Sequence, residues 1–192
     1  MTLSINLGDL ARECNIGDSI AVNGVCLTIS KIAGSIADFD ISGETLTKTA
    51  LGNLKISSLI NIEQAMKPAD RFGGHFVLGH VDGTAKIDKI DKTGEFANFK
   101  FSAGTDLINS MVEKGSIAVD GISLTISRLD KNSFNVAVIP QTLKQTTLGT
   151  AKPGELVNIE TDIIIKAVKK QLEQILPKND IISAEKLKEL GF

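Results

Sequence analysis

The chain has 192 residues, a formal net charge of −2, and 42% hydrophobic and 23% charged residues. This composition is ordinary for a soluble globular protein, and the length allows two compact domains. The near-neutral net charge does not indicate the basic face that nucleic-acid-binding proteins present. No stretch approaches the roughly 18 apolar residues of a membrane span, the first residues lack a secretory-signal pattern, and two cysteines form no disulfide framework. We therefore expect a reduced, cytoplasmic protein without nucleic-acid or membrane partners.

The first third of the chain predicts a series of short strands. Residues 19–32 predict two strands separated by Asn23 and Gly24, a pair typical of hairpin turns. The other elements predicted here from period and turn residues are strands at 2–7, 37–42 and 58–66, a short helix or turn at 8–14, and a connection with a turn at 46–54.

A linker is predicted at residues 67–74, which contain a proline and a glycine pair. Residues 74–90 then predict two strands separated by Asp82 and Gly83. The remaining predicted elements are a strand at 97–102, a helix at 105–115 with Thr105 as N-cap and Gly115 as its stop, a helix at 163–176 ended by Pro177, and a short helix at 183–190.

Much of the sequence between residues 17 and 63 occurs a second time, 97 positions further along. Residues 17–30 read GDSIAVNGVCLTIS and residues 114–127 read KGSIAVDGISLTIS, and residues 43–63 and 140–160 align at the same offset. The period is too long for a solenoid repeat, so each copy is expected to be a small domain. Many short strands with glycine turns then predict an all-β protein of two tandem six-stranded Greek-key barrels and a C-terminal α-helix.

The two copies differ at their starts. At the same offset, the counterpart of Gly74 falls about two dozen positions before Met1. The first barrel is therefore expected to lack its first two strands, either because the sequence is shortened or because the protein dispenses with them. The expected domains are residues 1–66 for the incomplete first barrel, 67–161 for the second barrel, and 162–192 for the C-terminal helices.

The repeated strands carry an apolar and a polar row. With a period of two, the apolar row faces the barrel interior and the polar row faces outward. In a single strand an outward polar row is most simply a solvent-facing surface. Because both copies keep a Leu-Thr pair and a later threonine, we interpret the rows as paired sites for a hydrogen-bonding ligand; the shared residues are Leu27, Thr28, Thr45, Leu124, Thr125 and Thr142.

The two histidines, His75 and His80, do not predict a metal site. Five residues apart on a predicted strand, they face opposite ways, and the spacing of Cys14 and Cys26 differs from that of structural zinc sites. His80, beside Gly79, is either a ligand contact or an ordinary surface histidine. The sequence also lacks phosphate-binding glycine loops and the G-x-S-x-G nucleophile motif. The residues alone therefore predict a duplicated barrel that binds a neutral polar ligand twice.

Several motifs together resemble the riboflavin synthase family of duplicated lumazine-binding barrels. They are GDSIAVNGVCLTI, GETL with TALGNL and NIE, GGHFVLGHVDG, KGSIAVDGISLTI, and PQTL with TTLG and GELVNIE. The likeness runs in the family's order from Met1 to about Gln174. It implies a transferase that converts two molecules of 6,7-dimethyl-8-ribityllumazine into riboflavin and 5-amino-6-(ribitylamino)uracil, the final step of riboflavin biosynthesis, without cofactor or metal.

The resemblance also implies a homotrimer joined by the C-terminal helices, with each active site between the first barrel of one subunit and the second barrel of another. It suggests lumazine synthase as a further partner. The family's first barrel begins with an MFTG-like strand that the printed sequence lacks, which leaves the first pocket incomplete. The alternatives are a non-catalytic lumazine- or flavin-binding protein, an inactive truncated form, and a β-barrel interaction domain without a small ligand.

Carried onto this sequence, the family's motifs imply one pocket on each barrel. The expected catalytic residues are His80, Ser123 and Thr125 for proton transfer at one lumazine, and Cys26 and Ser19 at the other. The first-barrel pocket is expected to contain Ser19, Cys26, Leu27, Thr28, Asp40, Ile41, Ser42, Gly43, Glu44 and Thr45. The second is expected to contain Gly79, His80, Val81, Lys114, Asp120, Ser123, Leu124, Thr125, Ile139, Pro140, Gln141, Thr142, Leu143 and Lys144.

Overall fold

A computed structural model describes residues 1–175 of the chain. The first copy of the repeat forms an antiparallel sheet with the strand order β1-β4-β3-β2-β5. Its elements are β1 (Thr2–Asn6), β2 (Ser19–Val22), β3 (Val25–Ala33), β4 (Ile36–Asp40), α1 (Gly43–Lys48) and β5 (Ile62–Gln64), with 3₁₀ turns at Gly8–Glu13 and Ala50–Asn53.

The second copy forms a closed six-stranded barrel with the order β10-β7-β6-β11-β8-β9, in which β9 pairs with β10. Its elements are β6 (Gly83–Thr93), β7 (Phe96–Ala103), α2 (Thr105–Ile108), β8 (Ser116–Val119), β9 (Ile122–Leu129), β10 (Ser133–Val138), α3 (Pro140–Gln145), a 3₁₀ turn at Thr147–Gly149 and β11 (Leu156–Thr161). The helix α4 (Ile163–Ile175) follows. Within residues 1–175, no helix is long and apolar enough to cross a membrane.

The first sheet stays open because one strand position is not filled. In the second barrel, β6 pairs with both β7 and β11. The counterparts of those two strands are β1 and β5, and no described strand lies between them. This confirms the predicted fold class, with one closed barrel and one incomplete barrel. The expectation of two absent strands is corrected to one, because residues 74–82 contain no strand in the second copy either.

The strand period places the two cores as expected. In β3, Val25, Leu27 and Ile29 are buried, whereas the side chains between them are exposed. The second barrel is filled by three stacked rings, with centroid distances of 5.9 Å between Phe99 and Phe101 and 5.0 Å between Phe101 and Phe134. Removing such side chains from water is the main driving force for closing the barrel.

Two predicted elements differ from the structure in their extent. The connection predicted at 46–54 overlaps the second half of helix α1, whose first turn is capped because Ser42 Oγ accepts a hydrogen bond from Thr45 N at 3.0 Å. The helix predicted at 105–115 is limited to α2, and its N-cap is Gly104 rather than Thr105. Helix α4 matches its prediction up to Ile175; Pro177 and the helix predicted at 183–190 lie outside the described residues.

The two barrels meet at their hairpin turns. Asn23, Gly24, Asp120 and Gly121 all have positive φ, as the central residues of type I′ turns do. A Cβ atom built on Gly121 would lie 3.0 Å from Gly24 Cα, so the two backbones touch where neither residue has a side chain. Asn23 Oδ1 accepts from Asn61 N at 2.7 Å, and Asp120 Oδ1 accepts from Asn158 N at 2.8 Å.

The acid in this contact is buried. Asp120 is 8% exposed, and burial raises the pKa of its carboxyl from 3.8 to about 7, with a smaller contribution in the same direction from Glu155. The hydrogen bond from Asn158 N opposes the rise. Between these two values the folded chain binds more protons than the unfolded chain, so stability falls as pH rises from about 4 to 7.

We predict that Asp120→Asn stabilises the protein at pH 8. The amide keeps the acceptor for Asn158 N but carries no charge, so the free energy of unfolding should exceed that of the unmodified chain by about 2–4 kcal/mol. The difference should disappear toward pH 4. Urea unfolding at several pH values measures this, and Asn23→Asp, which adds an acid at the equivalent turn, should destabilise the chain at pH 8. An unchanged pH dependence in Asp120→Asn would refute the assignment.

Candidate active site

The outward polar rows lie where the strand period predicts them. Cys26 and Thr28 are exposed on β3, and Ser123 and Thr125 are exposed on β9. Across the strand pairs, Ser19 lies opposite Thr28. At the equivalent position of the second barrel, Ser116 lies opposite Thr125. Directly opposed residues are about 5 Å apart, so each barrel presents a hydroxyl pair beside a thiol or serine. Ser116, the counterpart of Ser19, joins the candidate site although it was not among the predicted residues.

A strap, residues 74–82, crosses between the two barrels. Its middle is held by Glu160 on β11, whose carboxylate accepts hydrogen bonds from three successive backbone N–H groups: Leu78 at 2.8 Å, Gly79 at 2.9 Å and His80 at 3.1 Å. Glu160 is only 3% exposed. A buried carboxylate is tolerated when its oxygens are satisfied in this way. The backbone groups that would form a strand ladder are thus bound to a side chain.

The second half of the strap, from Gly79 to Val81, lies against the first barrel. Gly79 O accepts from Cys26 N at 2.9 Å, and a Cβ atom on Gly79 would lie 2.6 Å from Cys26 Cβ. Val81 packs against the core of the first sheet. The expected placement of Gly79, His80 and Val81 in the second-barrel pocket is therefore corrected. Gly79 contacts Cys26 and Val81 packs against the core of the first sheet, with His80 between them in the chain.

The other end of the strap lies on Ser123. His75 Nδ1 is 2.8 Å from Ser123 Oγ, and His75 N donates to the same oxygen at 3.3 Å. Partial burial lowers the pKa of His75, although the negative charges of Asp162 and Glu160 oppose this. Within the described residues, His75 Nε2 is buried without a hydrogen-bond partner. A neutral imidazole in contact with a serine hydroxyl can take up a proton.

This arrangement corrects the expected grouping of His80 with Ser123 and Thr125. The side chain that contacts Ser123 belongs to His75, whereas His80 is exposed and contributes its backbone N–H to Glu160. The sequence could not show this, because His75 and Ser123 are 48 positions apart. The strand on which His75 and His80 were predicted to face opposite ways does not form.

Other predicted site residues take different places. Asp120 is buried between the barrels, where it accepts from Asn158 N, and is not open to a ligand. Lys114 is exposed, and its ammonium donates to Ser127 O at 3.3 Å. The side chains that face a core or pack against one, leaving only their backbone groups for a ligand, are Leu27, Ile41 and Leu124.

The two helical stretches of the predicted pockets lie at equivalent positions. In the first barrel, Asp40 accepts from Thr2 Oγ1 at 3.1 Å, Gly43 begins α1, and Glu44 forms an exposed 2.8 Å ion pair with Lys48. In the second, Ile139 is 53% exposed and precedes α3, which contains Gln141 and Thr142. A half-open cavity of about 310 Å³ beside α3 is lined by Pro140, Leu143 and Lys144 together with residues of β6 and β7.

Two further polar residues, Asn61 and Asn158, belong to the repeated NIE motif and are not among the predicted site residues. Each forms hydrogen bonds across the contact between the barrels. Their repetition 97 positions apart was the available signal. Within residues 1–175, no three His, Cys, Asp or Glu side chains are grouped as metal ligands would be.

Comparisons with known proteins identify the family. The lumazine binding domain model matches the chain twice, at residues 2–65 and 78–162. A riboflavin synthase of Actinobacillus pleuropneumoniae is 42% identical over 197 aligned positions, which cover 99% of this chain and 89% of the relative. The chain belongs to the riboflavin synthase family. Its relatives include a riboflavin synthase of Bacillus subtilis (strain 168), 40% identical over 166 positions that cover 86% of this chain and 77% of the relative.

Solved structures show the same fold. LumP complexed with riboflavin superposes with a TM-score of 0.78 at 24% identity, covering 83% of this chain and 87% of that chain. LumP complexed with flavin mononucleotide gives a TM-score of 0.74 at 25% identity, covering 83% and 86%. This member of the riboflavin synthase family therefore has the fold of the lumazine-binding proteins.

The strap predicts unequal roles for two glutamates at the same position of the repeat. Glu160→Ala should lower the free energy of unfolding by about 3 kcal/mol, because it leaves three backbone N–H groups without their acceptor. Glu63 is the counterpart in the first sheet and is exposed, so Glu63→Ala should change stability by less than about 0.5 kcal/mol. Urea unfolding of both variants measures the difference. Equal losses in the free energy of unfolding would contradict the role of Glu160 in holding the strap.

Proposed function

We propose that this chain catalyses the reaction of its riboflavin synthase relatives: two molecules of 6,7-dimethyl-8-ribityllumazine give riboflavin and 5-amino-6-(ribitylamino)uracil. The observation that carries the proposal is the pair of equivalent outward rows, one on each lumazine-binding barrel, in a chain 42% identical to a riboflavin synthase. A four-carbon unit passes between two identical molecules, so the atoms balance without a cofactor. The enzyme's task is to hold two ligands and move protons.

Each barrel would hold one lumazine. On the first barrel, Ser19, Cys26 and Thr28 would bind the ligand together with the stretch that begins at Asp40 and with the strap at Gly79. On the second, Ser123, Thr125 and Ser116 would bind it together with the stretch of α3. Exposed backbone groups beside the Leu-Thr pairs can read the pteridine edge, as in strand addition.

We assign the base that removes a proton from lumazine to the outward row of the second barrel. Forming the new bonds requires removal of a proton from the C7 methyl group of one lumazine. His75 is the candidate base, since burial favours its neutral form and Ser123 Oγ lies 2.8 Å from Nδ1. Phe72 and Phe76 are both exposed, and their ring centroids are 4.8 Å apart. They lie on the connection that contains His75 and offer an apolar surface for the lumazine ring. Cys26 would act at C7 of the other lumazine.

The exposed apolar face of helix α4 is the basis for the proposed assembly of several copies of the chain. Its apolar side chains Ile164, Val168, Leu172 and Ile175 recur at intervals of three or four residues, and each is at least half exposed. We propose that this face packs against other copies in a homotrimer, with the active site between the first barrel of one subunit and the second barrel of another. The proposed divisions at residues 66 and 161, a cytoplasmic location and an association with lumazine synthase belong to the same hypothesis.

A second candidate is a protein that holds lumazine or flavin without converting it. The open first sheet favours it, because an unpaired sheet side leaves the first pocket with fewer walls. The experiment that separates the two is incubation of the chain with 6,7-dimethyl-8-ribityllumazine. Formation of riboflavin, followed by its absorbance, supports the synthase; binding without riboflavin supports the carrier.

Substitutions at the second row should separate the two histidines. Ser123→Ala and His75→Ala should each lower kcat about a hundredfold, as expected when a proton-transfer group is removed. His80→Ala is the control, because that side chain is exposed and only its backbone is engaged. Rates of riboflavin formation measure all three, and a larger loss in His80→Ala than in His75→Ala would return the role to His80.

The pH profile tests the protonation state of His75. Because burial lowers the pKa of His75 below its ordinary 6.5, the base is neutral at pH 7 and becomes protonated only in more acidic solution. The rate should therefore be level near neutrality and fall as pH drops through a value below 6.5. In His75→Ala this acidic limb should vanish from the kcat profile. If kcat fell at the same acidic pH in both proteins, the fall would be assigned to a group other than His75.

A further inference from the structure

Two asparagines at equivalent positions cross the contact between the barrels in opposite directions. Asn61 precedes β5 of the first sheet, and Asn158 lies on β11 of the second barrel. Neither belongs to the pockets described above. Asn158 is 1% exposed and Asn61 is partly buried, and buried carboxamides require partners for both their oxygen and their nitrogen.

Each carboxamide uses one atom to bind the turn of the other barrel. Asn61 Nδ2 donates to Asp120 O at 3.1 Å. Asn158 Nδ2 donates to Asn23 O at 2.8 Å. These bonds reach the carbonyls of the two hairpin turns whose glycines touch. They fix the barrels against each other in a pseudo-twofold arrangement.

The other atom of each carboxamide holds a helical stretch of the opposite barrel. Asn61 Oδ1 accepts from Thr147 N at 2.9 Å, and Asn158 Oδ1 accepts from Ala50 N at 2.7 Å. Thr147 begins the 3₁₀ turn after α3, and Ala50 begins the one after α1. Each barrel therefore supplies an acceptor to the segment that follows the ligand-binding stretch of its neighbour.

The hydrogen bonds made by the two asparagines are linked to further hydrogen bonds in the predicted pockets. Thr49 Oγ1 donates to Thr45 O at 2.7 Å, and Thr146 Oγ1 donates to Thr142 O at 2.7 Å. Thr49 and Thr146 directly precede Ala50 and Thr147. Thr45 and Thr142 are the threonines that both copies keep in the pocket stretches. A short hydrogen-bonded path thus joins each asparagine to the ligand-binding stretch of the other barrel.

We propose that Asn61 and Asn158 are crossed positioning residues: Asn61 of the first barrel orders the ligand-binding stretch of the second, and Asn158 of the second orders that of the first. The inference rests on the proposed ligand pockets. Only a side chain with one acceptor and one donor fits both ends of each contact; aspartate lacks the donor and alanine lacks both. The crossing makes the two pockets of a chain depend on each other's barrels.

Hydrogen exchange followed by mass spectrometry tests the positioning in the full-length chain. Asn61→Ala should raise exchange about tenfold in residues 140–149 and leave residues 43–53 unchanged, because one buried N–H loses its acceptor. Asn158→Ala should do the reverse. Strands β6 and β7 serve as an internal reference for global unfolding. Equal changes in both stretches, or a change confined to the mutated barrel, would overturn the proposal. If Asn158→Ala fails to fold, the result of Asn61→Ala alone decides.

Ligand binding tests the consequence. Thr28→Arg places a bulky charge on the first row and leaves the second pocket for titration with 6,7-dimethyl-8-ribityllumazine; Thr125→Arg leaves the first. In the Thr28→Arg background, Asn61→Ala should weaken binding about tenfold, and in the Thr125→Arg background it should not. Asn158→Ala should show the opposite pattern, and uncrossed effects would refute the proposal. If the ligand binds no variant at all, the proposed function fails, while the exchange pattern still decides the role of the asparagines.

Discussion

The contact between Gly24 and Gly121 determines how the rest of the molecule is arranged. A Cβ atom on Gly24 would collide with Gly121 N, and one on Gly121 would lie 3.0 Å from Gly24 Cα, so the close approach favours glycine in both copies. Once the turns touch, their carbonyls and the side chains of Asn23 and Asp120 face the neighbouring β5 and β11 regions. The hydrogen bonds of Asn61 and Asn158 then follow from the same geometry, repeated 97 positions apart.

Within this near-symmetric frame, the two copies carry unequal chemistry. Asn23 is neutral, whereas Asp120 at the equivalent turn is an acid with a raised pKa. Glu63 is exposed, whereas Glu160 is buried under the strap and accepts hydrogen bonds from its backbone N–H groups. In both pairs the second barrel holds the buried acid. Three backbone N–H groups satisfy the carboxylate of Glu160, whereas burial raises the pKa of Asp120 and so favours its protonated form.

The sequence predicted those parts of the fold that depend on local pattern. The two-residue period located β3 and β9 and their outward rows, and Asn23-Gly24 correctly marked a hairpin. Helix α1 was missed because it is one and a half turns long and rich in threonine, which favours extended backbone. The strap was predicted as a strand because its apolar run, Phe76 to Leu78, stands between glycines and before the Asp82-Gly83 turn signal. Its N–H groups instead bind Glu160, about 80 positions away, and no local pattern reports a partner at that distance.

The strap also explains why glycines stand at both of its contacts. Gly74 lies on the side chain of Ser123, and Gly79 lies on Cys26. Ser123 and Cys26 are equivalent residues of the repeat, so one segment touches the same position of both barrels. Residues 75 to 79 can span at most about 14 Å, and Glu160 fixes their far end. Any ligand that displaces the strap from one row therefore shifts a segment that also bears on the other. The strap therefore ties together the outward rows of the two copies, and the crossed asparagines tie together the stretches that follow α1 and α3.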